Sequence, residues 1–281
     1  MISVIICSRA AELGNQLVIN IKESIGCEYE IIIVNNQDNK YSISQAYNIG
    51  IEKSKGEMLC FIHEDVLFHT IDWGIEVINI FNSNPKIGLI GVAGAKIKTK
   101  TPSPWWDCSE IYKVIHIIQH DKNDKTYKSS TGFAQKEIQE VGVIDGVFMV
   151  LRKEVFVQFD EFNEGFHCYD LKISLDVVKK NYKVVVSDKI LIEHYSIGLL
   201  DLNWFNSLLK FHKKNKNYLP LNISDDSIIV KEEFNSCKKL VFYCIKFGRV
   251  KLLFRYWIKL FFMNPISKEH FDIIRYLVFK K

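Results

Sequence analysis

The sequence predicts an α/β fold, a mostly parallel mixed sheet flanked by helices, with a helical extension at the C-terminus. Three observations predict it. Short β-branched runs at 2–7, 29–34 and 57–62 alternate with helix-like segments, the spacing of βαβ units joined by right-handed crossovers. Each run ends in polar residues, Cys7-Ser8-Arg9, Asn35-Asn36 and His63-Glu64-Asp65. A parallel sheet would gather these on the carboxyl rim where ligands bind, an argument for a nucleotide site. Beyond Leu200 the pattern turns helical, aromatic and basic. The 281 residues therefore divide into an α/β unit of 1–200 and an extension of 201–281.

The run ISVIIC at 2–7 shows no polar alternation, as expected of a strand buried on both faces. Leu13, Leu17, Ile21 and Ile25 recur every four residues and predict a helix. YEIIIV at 29–34 predicts a second buried strand, closed by the turn-forming cluster Asn35 to Asn39. Ser42 is placed to cap the next helix, with Ala46, Ile49 and Ile51 as its apolar positions. EMLCFI at 57–62 is the third strand, and 87–92 the fourth. From 95 to 140 no period is clear. Thr, Pro and Ser at 99–104, the pair Trp105-Trp106 and the stretch KNDKTYKSS predict a long functional loop or lid. Strand character returns at 143–151, broken by Asp145-Gly146. A helix at 170–180 and a strand at 183–187 follow, then Ile192-Glu193-His194-Tyr195, and Pro220 to Asp226 reads as a linker.

Composition narrows the class. Hydrophobic residues at 48% and charged ones at 25% describe a globular chain rather than a disordered one. The seven cysteines are odd in number, form no C-x-x-C pair and sit largely in apolar runs, so they predict reduced, buried thiols in a cytoplasmic protein. The first residues lack the basic segment of a signal peptide, and no apolar run approaches the roughly 20 residues of a membrane span. Charge is uneven: Asn235 to Lys281 carries +9, which leaves −5 on the rest of a chain whose net charge is +4. A basic tail on an acidic body suggests an anionic surface as the tail's partner.

Several residues could carry chemistry. Asp65, just past the third strand, could hold a divalent cation against phosphate oxygens, and His63 would point to the same side of an extended chain. The same triplet fits a polar turn capping a helix at 66–69. Asp145, in an apolar strand beside a glycine, needs a partner or a purpose. It could serve as a base with a sugar approaching over Gly146, or accept hydrogen bonds from a neighbouring loop. Trp105 and Trp106 could stack on a sugar face or anchor their loop to the core.

The order ISVIICSR, EIIIVNNQ and AYNIGIEKSKGEMLCFIHEDV resembles the nucleotide-binding half of family 2 inverting glycosyltransferases of the GT-A fold. That family carries an Ala-x-Asn-x-Gly helix and a Gly-Glu pair before an Asp-x-Asp motif. Ala46, Asn48, Gly50, Gly56 and Glu57 stand at the matching places. His63-Glu64-Asp65 takes the Asp-x-Asp position with His for the first Asp, similar to a His-x-Asp-Val subgroup related to a streptomycin-biosynthesis protein. Residues 142–176 resemble the acceptor-side segment, with Asp170 at the place of the catalytic aspartate, Tyr169 where Glu is usual and Lys172 where a second Asp is common.

The resemblance covers roughly residues 1–200 and implies sugar transfer from a nucleoside-diphosphate sugar to a glycan or lipid-linked hydroxyl, with inversion, in bacterial surface polysaccharide or glycoconjugate synthesis. It implies Asp170 as the base, with Asp145 as the second candidate. It implies Mg²⁺ or Mn²⁺ at Asp65 with His194 as a further ligand, and Ser8, Arg9, Asn35, Asn36, Asn48 and His63 on the donor. His167 has a weaker claim. Two other readings stay open: a catalytically silent sugar-nucleotide-binding or scaffold protein, and a nucleotidyltransferase, which would show a Gly-rich phosphate loop where this chain has Cys7-Ser8-Arg9-Ala10-Ala11.

In the tail, Phe242, Tyr243, Phe247, Phe254, Tyr256, Trp257, Phe261 and Phe262 interleave with Lys246, Arg249, Lys251, Arg255 and Lys259. That pattern fits an interfacial helix on anionic lipid, at the inner face of the membrane, or a helical unit packed on the body or on a second copy of the chain in a homodimer. No nucleic-acid reader motif accompanies the basic residues.

Overall fold

The computed structural model describes residues 1–9, 14–121, 123, 125–156, 158–159, 165–196, 198–223 and 229–279. The expected start unfolds in order: β1 (Ile2–Ser8), α1 (Asn15–Ser24), β2 (Tyr29–Asn35), α2 (Ile43–Lys53) and β3 (Met58–Ile62). Leu17, Ile21 and Ile25 turn inward as their spacing requires, while Leu13 lies outside the described residues. Ser42 and Gln45 form a reciprocal capping box on α2, a device whose serine contributes about 1 kcal/mol. One expectation fails at the sheet's margin. β2 is the edge strand: Ile32 and Val34 bury on one face, while on the other Tyr29 and Ile31 are only half-buried and Ile33 is exposed.

The chain continues through β4 (Val66–Phe68), α3 (Trp73–Ser83), β5 (Ile87–Gly91), β6 (Ala93–Ala95), β7 (Ile97–Lys98), β8 (Lys113–His120), β9 (Thr126–Thr131), β10 (Ile138–Val141), β11 (Val143–Ile144), β12 (Phe148–Arg152), α4 (Tyr169–Lys179), β13 (Lys183–Ser187) and β14 (Ile192–His194). The main sheet has the order β10-β13-β5-β12-β3-β1-β2. Three of its six pairings are parallel and three antiparallel, so it is a mixed sheet with less parallel character than expected. The reason is β12, which re-enters antiparallel between β3 and β5 after the Asp145-Gly146 break.

Two local expectations are corrected. Residues 66–68 are a strand and not a helix, because Val66 and Phe68 bury against the core while pairing with β14. The stretch 95–140 is no open loop. β6, β8, β11, β14 and β4 make a second sheet, with β9 paired to β8 as a hairpin. The run Val114-Ile115 and Ile117-Ile118 within β8 is β-branched, a strand signal that the polar neighbours obscured.

After β14 come α5 (Leu202–Asn215), β15 (Leu221–Asn222), α6 (Ile229–Lys246), α7 (Val250–Met263) and α8 (Glu269–Phe279). The linker expected at Pro220 to Asp226 contains β15, which pairs with β7; residues 224–228 lie outside the described set. The C-terminal helices pack on the body. Cys237, Leu240, Leu253, Leu260 and Ile273 share one apolar cluster with Trp105, Leu171, Phe205 and Phe211. The tail also clamps the Trp-bearing segment through acids on α6. Fully buried Glu232 accepts from the Ser109 amide at 2.8 Å and from its hydroxyl, and Glu233 accepts from the Thr101 amide and hydroxyl. All seven cysteines are free thiols, six of them buried. No helix among the described residues is long and apolar enough to cross a membrane.

Candidate active site

The site forms where the two sheets meet. β3 ends at Ile62 and β4 begins at Val66, so His63-Glu64-Asp65 is the crossing between sheets. β14 pairs antiparallel with β4, with His194 opposite Val66, and the Tyr195 amide donates to the Asp65 carbonyl at 3.1 Å. That register sets His194 beside Asp65 across more than a hundred residues of sequence. β14 also runs parallel to β8, with His194 opposite Gln119.

His63 Nδ1, Asp65 Oδ1 and His194 Nε2 face one another, with separations of 3.4 Å between the imidazoles, 3.5 Å from His194 to Asp65 and 3.9 Å from His63 to Asp65. Hydrogen bonds behind them decide which nitrogens carry protons. Gln119 Nε2 donates to the His194 and Ser196 carbonyls, so its Oε1, at 2.9 Å, accepts from His194 Nδ1. The Tyr169 hydroxyl donates to the Gly146 carbonyl at 3.3 Å and accepts from His63 Nε2 at 2.8 Å. His63 Nδ1 and His194 Nε2 therefore present bare lone pairs towards a carboxylate oxygen. Three lone pairs so disposed repel unless a cation or proton lies between them. A point equidistant from three atoms with these separations is about 2.1 Å from each, within the range of nitrogen and oxygen ligands to divalent metals.

Charge agrees with geometry. Burial, then the facing His194, push His63 below its ordinary pKa and keep it neutral, as a ligand must be. Because Gln119 sets the His194 tautomer, Gln119→Leu is expected to weaken Mn²⁺ affinity roughly 10–100-fold in calorimetry, with little change in the apo melting temperature.

His63 also lines a cavity of about 150 Å³, together with Trp105, Trp106, Asp145, Gly146, His167, Tyr169, Asp170 and Trp204. The cavity thus joins the three-ligand cluster to Asp170. Cys168, just before α4, adopts a left-handed φ of 62°, a strain of about 1 kcal/mol that sets the direction in which Tyr169 and Asp170 leave the helix start. Asp170 opens partly to the cavity, yet burial, and after it the charge of Asp145, raise its pKa to about 7; the Leu171 amide, at 2.8 Å, only partly offsets them. A carboxyl poised there can take a proton near neutrality.

Asp145 is committed to loop contacts: Oδ2 accepts from Trp105 Nε1 at 2.7 Å and Oδ1 from the Val147 amide at 2.8 Å. The close approach over Gly146 is made by Tyr169, whose hydroxyl a Cβ there would meet at 2.3 Å. Trp105 is thereby an anchor, whereas Trp106 stacks on Trp204 at 6.3 Å and lines the cavity.

The remaining sequence candidates divide. Ser8 and Arg9 reach the rim and bind Glu64, with Ser8 Oγ at 2.7 Å, the Arg9 amide at 3.0 Å and Arg9 Nε at 3.4 Å. Exposed Asn35 makes a local turn to the Gln37 amide. Asn36 is fully buried, its amide bound both ways to the Tyr41 backbone, and Asn48 exchanges two bonds with the Phe159 backbone. Both asparagines are engaged in holding loops. Sequence reasoning missed Gln119 and the pairing of Tyr169 with His63. Two of the three departures from the resembled motif, His63 and Tyr169, touch each other, a signal visible only in space.

A mixed α/β sheet carries a two-imidazole, one-carboxylate cluster that could hold a metal ion, next to a cavity with a raised carboxyl. The model of the Glycosyltransferase like family matches residues 3–216, and the chain belongs to that family. The sheet architecture is accordingly the GT-A fold with C-terminal helices added. Comparison with curated protein sequences finds no match. Among solved structures, GalNAc-T7 with UDP, GalNAc and Mn²⁺ is similar with a TM-score of 0.47 and 10% identity, covering 69% of this chain and 43% of that one. A197 from STIV is similar with a TM-score of 0.41 and 14% identity, covering 70% of this chain and 86% of that one. The chain thus spans less than half of the GalNAc-T7 structure.

Proposed function

We propose that this glycosyltransferase moves a sugar from a nucleoside-diphosphate sugar to a glycan or lipid-linked hydroxyl with inversion, in bacterial surface polysaccharide or glycoconjugate synthesis. The observation that carries the reading is the pair of bare imidazole nitrogens facing Asp65 at the mouth of the cavity that holds Asp170. Asp170 takes the acceptor's hydroxyl proton, and the freed oxygen attacks the anomeric carbon from the face opposite the leaving group. The bond to the diphosphate breaks, its electron pair stays on the diphosphate oxygen, and the proton remains on Asp170. Single displacement inverts the anomeric centre. His63 Nδ1, Asp65 and His194 Nε2 would hold a divalent cation, which when bound offsets charge gathering on the diphosphate. Two imidazoles favour Mn²⁺ over Mg²⁺, which prefers oxygen.

The rest of the rim divides the substrate. Ser8 and Arg9, steadied by Glu64, and the exposed Asn35 are offered to the nucleotide. Trp106, in the cavity lining, is offered to the acceptor, and Asp145 holds Trp105 and raises the pKa of Asp170. We assign transfer to residues 1–200 and support of the acceptor segment to 201–281, with the enzyme working at the cytoplasmic face of the membrane.

The test is a panel of nucleoside-diphosphate sugars with Mn²⁺, Mg²⁺ or chelator. Turnover of one donor, fastest with Mn²⁺ and lost with chelator, is the expected result. Failure of every nucleotide and nucleotide sugar to bind, with or without metal, overturns the proposal.

A further inference from the structure

A second cavity, of about 610 Å³, lies between α5, α7 and the segment 100–102, away from the catalytic pocket. Five cations line it, Lys100, Lys213, Lys216, Arg255 and Lys259, and no carboxylate does so among the described residues. Lys259 donates to Thr101 Oγ1 at 2.8 Å and pairs with Glu233 at 3.6 Å. The other four are exposed. Like charges gathered around one hollow repel, so the arrangement gains most from an anion of more than one charge or from an anionic surface.

The neighbouring stripe of α7 says which. Arg255 and Lys259 stand four residues apart on the cavity face, while Phe254, Ile258 and Phe261 repeat at four and three residues on an adjoining face, with Phe262 between the two. All four apolar residues are exposed, Phe262 by 80%, and Ile266 and Phe271 extend the patch beyond the helix end. A free phosphate would explain the cations but not the phenylalanines. A second copy of the chain could cover the phenylalanines, yet a symmetric contact would set cation against cation. An anionic lipid surface satisfies both, since phosphates meet the basic hollow and apolar side chains enter the acyl boundary beside it.

We propose that this cavity receives the phosphate of an anionic lipid headgroup, with Phe254, Ile258, Phe261 and Phe262 seated in the membrane beside it. The contact is peripheral, and it stands apart from the sugar-transfer reading because its readout is binding alone.

The full chain is sedimented with vesicles of phosphatidylcholine, alone or mixed equally with phosphatidylglycerol. Binding is expected on the mixed vesicles only. Lys213→Gln with Arg255→Gln should weaken it roughly 30-fold, at roughly fivefold per cation near an anionic surface. Lys251→Gln with Arg275→Gln, two exposed cations that do not line the cavity, should cost clearly less. Ile258→Ser with Phe262→Ser should also weaken binding, and circular dichroism checks that each variant is folded. Equal losses from the two charge pairs would reveal a diffuse basic surface and overturn the cavity's role. Equal binding to neutral vesicles would overturn the phosphate contact. Absence of vesicle binding, whether inorganic phosphate raises the melting temperature through Lys213 and Arg255 or the chain dimerises through Phe262, would overturn the lipid.

Discussion

Asp170→Asn is expected to lower turnover roughly 10²–10⁴-fold while leaving donor binding nearly unchanged, because it removes a proton acceptor and keeps the shape of the side chain. Asparagine Oδ1 can still accept from the Leu171 amide, so the helix start should hold. The pH profile separates a base from a structural residue. With a carboxyl raised to about 7, kcat/KM should fall about tenfold per pH unit below that value, and Asp145→Asn should move the limb to lower pH by removing a charge that raises it. Stability should move in the opposite sense. The folded-state pKa lies above the ordinary 3.8, so the folded form favours protonated Asp170. That contribution is present below about pH 4 and is lost as pH rises through about 7, up to about 4 kcal/mol. Asp170→Asn should therefore melt above the wild type at pH 8 while being nearly inactive. A variant that kept both its activity and the acidic limb would remove Asp170 from the chemistry.

Asp65→Asn is expected to abolish Mn²⁺ binding in calorimetry and with it the metal-stimulated activity, a larger effect than the roughly 10–100-fold expected of Gln119→Leu. Asp65 supplies the only anionic oxygen of the cluster; an amide in its place leaves two imidazoles 3.4 Å apart and no carboxylate to hold a cation. Metal should also stabilise the fold, by about 2.7 kcal/mol at 100 times its dissociation constant, and chelation should reverse this in wild type and do nothing in Asp65→Asn. Full activity in chelator, unchanged in Asp65→Asn, would shift the leaving-group role to Arg9 or another cation.

How much of this was legible in the chain follows from the range over which each signal acts. The β-branched runs, the Ser42 cap, the interruption at Asp145-Gly146 and the helix over 170–180 are local, and each element forms where its residues indicate. The motif order placed Asp65 and Asp170 as candidates, and they stand at a cluster and on a cavity joined by His63. Two things escaped. The strands of 95–140 were hidden because their sheet alternates polar and apolar residues irregularly, with exposed Thr126 to Lys128 in β9. β2 read as central because its runs of isoleucine do not reveal which strand will lie at an edge.

By itself, then, the sequence determined the secondary elements outside 95–140, the family and the residue types available for a cation and a base, because hydrophobic periodicity and short motifs are properties of neighbouring residues. Only the tertiary structure decided that His194 lies against Asp65, that Gln119 and Tyr169 choose the ring nitrogens facing the cluster, and that Asp145 holds Trp105 while raising the pKa of Asp170. Those outcomes depend on strand register and on burial, which are set by contacts between segments up to 131 residues apart and leave no mark on either segment alone.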